Sequence, residues 1–115
     1  MMEGSFWEHL DRIVAESRII VDNPRGTPDG DSSSFVYPVD YGYLEDTSSM
    51  DGVGIDVFVG SDPGQMVDAI VCTVDLLKRD SEIKVLIGCT EEEKQAIKCL
   101  YETFPPMRGI LVRRG

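Results

Sequence analysis

Hydrophobic and polar positions recur along the chain with two different periods, and the helical period marks two segments. Apolar side chains fall on one helical face from 6 to 16 and again from 91 to 103. Each segment is preceded by Ser or Thr with Glu three residues later, a pair typical of helix N-termini. The pairs are Ser5 with Glu8 and Thr90 with Glu93. The pattern therefore predicts an N-terminal helix and a late C-terminal helix.

Outside these helices, short runs of β-branched and aromatic residues predict strands. The predicted strands cover 18–21, 35–44, 55–59, 66–77, 82–87 and 109–113. Residues 22–34 are rich in Pro, Gly and Asp and predict an irregular loop. Because the helices do not alternate with the strands, a parallel α/β sheet is disfavoured. The predicted fold class is mainly β with α, an OB-like five- to six-stranded barrel with the two helices.

Length and composition limit the class of protein. The chain has 115 residues, 42% of them hydrophobic and 28% charged, so we expect a single globular domain over residues 1–115. No apolar run reaches the roughly 20 residues of a membrane span, and the first residues lack the order of a signal peptide. We expect no membrane partner and a cytoplasmic location. The three cysteines are too scattered for a disulfide framework, and we expect them to be reduced and mostly in the core.

The distribution of charge narrows the choice of partners further. The net charge is −10, and because such a surface repels phosphate backbones, nucleic acid is not an expected partner. No Lys or Arg occurs from Gly26 to Leu77, whereas this stretch contains ten acids. Carboxylates that are brought together without cations have raised pKa values or bind a divalent metal. This acidic half of the chain therefore favours a metal site.

Two motifs in the acidic half carry a family resemblance. Residues 37–44 read YPVDYGYL, and residues 51–59 read DGVGIDVFV. In sequence and in spacing they resemble the core of the soluble inorganic pyrophosphatases of family I, whose pattern is Y-P-x-N-Y-G-[YF] and then D-G-D-P-[LIV]-D-V-[LF]-V. Weaker similarity extends over residues 18 to 104. The resemblance implies an OB-type barrel with an acidic mouth that binds diphosphate through metal ions.

Five acids correspond to metal-ligand positions of the family under this resemblance. They are Asp22, Asp51, Asp56, Asp80 and Glu82. Asp56 also interrupts an apolar strand, where an acid is costly unless it is exposed or ligated. Gly52 and Gly54 free the backbone, so we expect Asp51 and Asp56 to point into one pocket. A carboxylate-rich pocket without histidine suits Mg²⁺ or Mn²⁺ as the cofactor.

The remaining motif positions imply catalytic and substrate-binding roles. Tyr37 and Tyr41 match the two active-site tyrosines of the family, and Lys84 matches a lysine beside the last acid. The resemblance thus assigns catalysis to Asp51, Asp56 and Tyr41, and substrate binding to Tyr37 and Lys84.

The chain departs from the family pattern mainly on the phosphate side. Val53 stands where the family has the aspartate thought to activate water, and Gly54 replaces its proline. The segment before Tyr37 is too short for the family's K-x-E strand pair and phosphate-binding arginine. Phe104-Pro105 stands where the family's late helix ends in Y-K. These departures predict weaker phosphate binding and slower hydrolysis.

Two functions from different classes follow from these observations. The first is Mg²⁺-dependent hydrolysis of diphosphate to two phosphates, weakened, with Asp40, Asp46 or no side chain as the base. The second is a non-catalytic metal- or phosphate-binding module derived from the pyrophosphatase fold. A different phosphate-containing substrate or a structural role is a third reading. The expected small-molecule partner is diphosphate or a related phosphoanhydride, and a homo-oligomer is compatible with each reading.

Overall fold

The computed structural model describes residues 5–29, 32–50, 52–64, 66–103 and 105–115. Two helices and eight strands follow one another in these residues. The helices are α1 (Ser5–Ala15) and α2 (Glu91–Thr103). The strands are β1 (Ile19–Asn23), β2 (Pro28–Asp29), β3 (Ser32–Val36), β4 (Asp40–Leu44), β5 (Asp56–Val59), β6 (Val67–Asp75), β7 (Asp80–Ile87) and β8 (Met107–Arg113).

Six of the strands form one mixed sheet in the order β1-β4-β5-β7-β6-β8, and β2 pairs with β3 separately. Only the β5–β7 pair is parallel among the pairings of the described strands, and the others are antiparallel. The predicted fold class is confirmed: the chain is mainly β, with an N-terminal helix and a late C-terminal helix.

The core is divided between two clusters because β-strand side chains alternate between the two faces of the sheet. On β5, Val57 belongs to the cluster that also contains Trp7 and Leu10 of α1. Its neighbour Phe58 belongs to the cluster that contains Ile97 and Tyr101 of α2. Each helix therefore packs on a different one of the two clusters, α1 on that of Val57 and α2 on that of Phe58. Among the described residues, neither helix has the length and apolar character that crossing a membrane requires.

The second helix follows its predicted start closely. The Thr90 hydroxyl accepts the Glu93 backbone N–H at 3.1 Å, and the Glu93 carboxylate accepts the Thr90 N–H at 2.9 Å. This reciprocal pair satisfies backbone donors that the first helical turn leaves open. The capping pattern at Thr90 is therefore sufficient to mark where α2 begins.

The prediction of an irregular loop over 22–34 is wrong in part. β1 extends to Asn23, and Pro28–Asp29 pairs with β3 through Pro28 opposite Val36. Pro lacks an N–H donor but is tolerated in a short edge strand. Gly26, with φ of 85°, supplies the left-handed residue of the preceding turn. The prediction that the cysteines lie mostly in the core is also wrong, since Cys89 is buried, Cys72 is half-buried and Cys99 is exposed.

Candidate functional site

The candidate site lies on the face of the sheet that packs against α2. Along the strands of this face, polar side chains take over where the buried apolar side chains end. On β7, Leu86 is in that core, and Lys84 and Glu82 follow at two-residue spacing, which keeps side chains on one face. On β5, Asp56 stands two residues before the buried Phe58. Because Phe58 lies opposite Leu86 in the parallel pair, the register brings Asp56 beside Lys84.

A cavity of about 150 Å³ lies at this end of the sheet. It is lined by six of the residues that the sequence singled out: Tyr37, Tyr41, Asp56, Asp80, Glu82 and Lys84. They come from β4, β5 and β7 and from the residue after β3. Strand pairing thus brings side chains that are distant in the sequence to one cavity.

Lys84 is the centre of a charge network in this cavity. Its side chain is 7% exposed, and its ammonium donates hydrogen bonds to Asp56 Oδ2 at 2.8 Å and to Glu82 Oε1 at 3.0 Å. The third bond goes to the Tyr41 hydroxyl at 3.0 Å. An ammonium has three N–H donors, so all of them are used. One buried cation therefore neutralises part of the charge of two carboxylates.

Burial and charge set the protonation states of this network. Burial lowers the pKa of Lys84, but electrostatic interactions with Tyr41, Tyr101 and Asp56 outweigh burial, and the pKa is raised overall. Burial raises the pKa of Tyr41 well above its ordinary value, although the Lys84 charge opposes this shift. At neutral pH Lys84 is therefore a cation and Tyr41 a neutral hydroxyl.

Tyr37 closes the cavity on the side of β2 and β3. Its ring stacks on Tyr41 with centroids 4.8 Å apart and an interplanar angle of 20°. Its hydroxyl donates a hydrogen bond to Asp29 Oδ1 at 3.0 Å. Burial, followed by the hydrogen bond and the charge of Asp29, raises the pKa of Tyr37. Both tyrosines of the motif are thus neutral hydroxyls at neutral pH.

Among the described residues, one predicted metal ligand, Asp22, does not line the cavity. Asp22 lies on β1, where its side chain is exposed and accepts a hydrogen bond from Asn23 Nδ2 at 3.0 Å. Asp51 lies outside the described residues, so the expectation that it shares a pocket with Asp56 stays a prediction.

Asp40 and Asp46, the two candidates for the catalytic base, also lie outside the described lining of the cavity. The Asp40 carboxylate accepts the Arg25 backbone N–H at 2.8 Å, and Asp46 is an exposed turn residue with φ of 62°. Val53 is 61% exposed and, like the two aspartates, does not line the cavity.

Several lining residues were not predicted as site residues, and they include Asp29, Asp75, Lys78 and Tyr101. Asp29 was assigned to an irregular loop, whereas pairing of β2 with β3 brings it to Tyr37. Asp75 lay within a predicted strand and Tyr101 on the apolar face of a predicted helix. For both residues the sequence pattern indicated only a place in a strand or in the core. Periodicity shows the face on which a side chain lies, but not which end of that face borders a cavity.

The donor chemistry of the cavity fits a hard divalent cation. Its described lining contains carboxylates and hydroxyls but no histidine or cysteine, and hard cations prefer oxygen ligands. No three His, Cys, Asp or Glu side chains within the described residues are grouped as a ready metal site. Lys84 bonds to both Asp56 and Glu82, so a cation held by those two acids competes with the ammonium.

The solved structures that are similar to this chain include three with the following scores. An inorganic phosphatase from Anaplasma phagocytophilum has a TM-score of 0.59 at 13% identity, over 83% of this chain and 81% of its own. The inorganic pyrophosphatase of Helicobacter pylori has a TM-score of 0.57 at 15% identity, over 84% and 81% of the two chains. That of Thermus thermophilus has a TM-score of 0.59 at 20% identity, over 84% and 81%. No family model and no curated protein matches the sequence. The chain therefore has the fold of inorganic pyrophosphatases, and these identities establish the fold alone.

Proposed function

We propose that this protein is a short, divergent relative of the inorganic pyrophosphatases that hydrolyses diphosphate to two phosphates with Mg²⁺ or Mn²⁺. The observation that carries the proposal is the convergence on one cavity of the six motif residues Tyr37, Tyr41, Asp56, Asp80, Glu82 and Lys84. Strand register brings five of these residues together, and Tyr37 joins them from the residue after β3. The cytoplasm is the proposed compartment.

The metal is proposed to be held by Asp56, Asp80 and Glu82, with Asp51 as a further ligand on the basis of the sequence motif. These acids share the cavity with Lys84, so the metal must compete with the ammonium for Asp56 and Glu82. A bound divalent cation supplies neutralisation of phosphate oxygens and a lower pKa for coordinated water.

The side chains of the cavity can orient diphosphate in distinct ways. Lys84 is a fixed cation whose position is set by its hydrogen bonds to Asp56, Glu82 and Tyr41. Tyr41 remains neutral because burial raises its pKa, and its hydroxyl, which accepts a hydrogen bond from Lys84, can donate its own proton to a phosphate oxygen. The Tyr37 hydroxyl is also neutral, but its proton is already donated to Asp29. The stacked rings restrict the motion of both hydroxyls and favour one orientation of the substrate.

The experiment is a steady-state measurement of phosphate release from diphosphate with Mg²⁺, with Mn²⁺ and with EDTA. We expect release that requires metal and falls at least about tenfold in Asp56→Asn, since this change removes a charged ligand. Asp62→Asn is the matched control, because Asp62 is exposed and does not line the cavity. Thermal melts confirm that both variants fold. Release that persists in EDTA, or that is equal in Asp56→Asn and the wild type, overturns the proposal.

A second candidate function, a non-catalytic metal- or phosphate-binding module, is favoured by Val53. Valine cannot accept a proton, and its side chain is largely exposed and away from the cavity lining. Because position 53 lies away from the cavity lining, Val53→Asp does not place a base in the cavity, and it should leave the rate of phosphate release unchanged if the protein is an enzyme. If the protein is a binding module, neither protein releases phosphate, while Mn²⁺ still raises the melting temperature of both.

A further inference from the structure

The described lining of the cavity contains two basic side chains in very different states. Lys84 is buried, and all three of its donors are used by Asp56, Glu82 and Tyr41. Lys78 is exposed, and its ammonium is paired with no carboxylate in the part of the chain that the structure describes. Lys78 is therefore the basic residue of this lining whose donors remain available for an anion.

Lys78 is carried by a turn whose backbone is held in place. β6 ends and β7 begins at the facing residues Asp75 and Asp80. The Asp75 Oδ1 atom accepts the backbone N–H of Leu77 at 2.9 Å and that of Lys78 at 3.0 Å. Arg79 completes the turn with φ of 59°. Because the Asp75 carboxylate fixes the backbone at Lys78, less conformational entropy is lost when Lys78 binds a ligand.

The turn directs one of its four residues to the cavity. Leu76 and Leu77 are 73% and 79% exposed and do not line the cavity, and neither does Arg79. Lys78 does line it, together with Asp75 and Asp80 at the base of the turn. This selection follows from the turn conformation, since neighbouring residues of a tight turn point in different directions.

The charge pattern of the sequence makes Lys78 chemically significant. The chain has no Lys or Arg from Gly26 to Leu77, so Lys78 is the first base after the acidic half. A diphosphate carries about two to three negative charges at neutral pH. Because Lys84 is already shared by Asp56 and Glu82, further cations are required to hold diphosphate in this acidic cavity. A lysine ammonium is a point charge that binds phosphate oxygens without a fixed geometry.

We propose that Lys78 is a cationic phosphate-binding residue at the mouth of the cavity, and that it supplies the positive charge that the acidic half of the chain, which has no Lys or Arg, does not. The inference rests on the proposed function, because it assumes that a phosphoanhydride enters the cavity. It assigns substrate binding to the β6–β7 turn, which lies outside the two motifs at 37–44 and 51–59.

The test compares Lys78→Gln with Arg79→Gln, two adjacent changes that remove one positive charge each from the same turn. Calorimetry measures the Kd of methylenediphosphonate, which is not hydrolysed, at a fixed Mg²⁺ concentration. We expect Lys78→Gln to weaken binding about tenfold or more, as for a lost hydrogen bond to a charged group, and Arg79→Gln to change it by less than about twofold. Lys78→Arg should restore most of the affinity. In steady-state hydrolysis, Lys78→Gln should raise KM with little change in kcat.

The outcomes separate this inference from the proposed function. If the wild type binds methylenediphosphonate and hydrolyses diphosphate while Lys78→Gln behaves like the wild type, this inference is overturned and the proposed function stands. Equal loss of affinity in Lys78→Gln and Arg79→Gln also overturns it, because the effect is then one of general charge. If the wild type binds neither methylenediphosphonate nor inorganic phosphate, both fail together.

Discussion

Two walls of the same cavity differ in how their charges are balanced. The inner wall consists of Tyr41, Asp56, Glu82 and Lys84, and its hydrogen-bonded network excludes most solvent. The turn wall consists of Asp75, Lys78 and Asp80, and within the described residues Lys78 and Asp80 take part in no ion pair.

This difference shows that charged residues of one site can have two roles, to stabilise the fold or to bind a ligand. On the inner wall, Lys84 is paired with both Asp56 and Glu82, so removing Lys84 leaves these carboxylates without compensation, which is costly for folding. On the turn wall, Lys78 faces solvent, so its removal costs little stability but changes what the cavity attracts. We therefore expect inner-wall variants to act mainly on stability and Lys78 variants mainly on binding.

The largest effect is expected for Lys84→Met, which removes the cation of the inner wall. Asp56 and Glu82 then share a cavity without their ammonium, and we expect a loss of about 3 kcal/mol in the free energy of unfolding. Urea denaturation measures this loss. Lys98→Met is the control, because the Lys98–Glu102 pair is exposed and should contribute less than about 0.5 kcal/mol. Equal losses in the two variants would remove the distinction between buried and exposed pairs.

Lys84→Met also tests the competition between ammonium and metal. A divalent cation can replace the missing charge between Asp56 and Glu82, so Mg²⁺ should raise the melting temperature of Lys84→Met more than that of the wild type. A melt series with Mg²⁺ and with EDTA measures both shifts. A larger shift in the wild type would contradict the competition.

The next largest effect is expected for Asp75→Ala, at the base of the turn wall. The Asp75 carboxylate is buried and accepts two backbone N–H groups, so its loss should cost about 1 to 2 kcal/mol. Asp75→Asn keeps an acceptor oxygen and should cost less. Urea denaturation of both variants provides the comparison. If Asn and Ala are equally destabilising, the backbone hydrogen bonds do not hold the turn.

A smaller effect is expected for Tyr41→Phe, and it should exceed that of Tyr37→Phe. The Tyr41 hydroxyl accepts a hydrogen bond from the buried Lys84, so its removal should cost about 1 kcal/mol of unfolding free energy. The partner of the Tyr37 hydroxyl, Asp29, is half-buried, whereas Lys84 is buried, so about 0.5 kcal/mol is expected for Tyr37→Phe. The reverse order in denaturant titrations would show that the inner wall does not depend on Tyr41.

The smallest change in stability is expected for Lys78→Gln. Its ammonium is exposed and has no ion-pair partner among the described residues, so the free energy of unfolding should change by less than about 0.5 kcal/mol. The same urea titrations measure it beside Lys84→Met. A loss of more than about 1 kcal/mol would mean that Lys78 supports the fold and would weaken the contrast between the walls.

Parts of the site were predictable because they depend on local pattern. Asp56 was singled out since an acid in an apolar strand needs a special environment, and it indeed lies in the cavity beside a buried cation. Tyr37 and Tyr41 were identified by their motif, and both line the same cavity. The role of Asp29 was not predictable, because its contact with Tyr37 depends on the pairing of β2 with β3, which periodicity does not specify.

The amino-acid sequence by itself determined the periods of the helices and strands, the capping of α2 and the excess of acids in the first two thirds of the chain. It also determined the mainly β fold class. Only the tertiary structure decided which charges meet, because the register of β5 against β7 brings Lys84 to Asp56. It also decided that Lys84 is neutralised internally while Lys78 is available at the cavity. Local periodicity specifies the face on which a side chain lies, whereas contacts across strands depend on the register of the whole sheet.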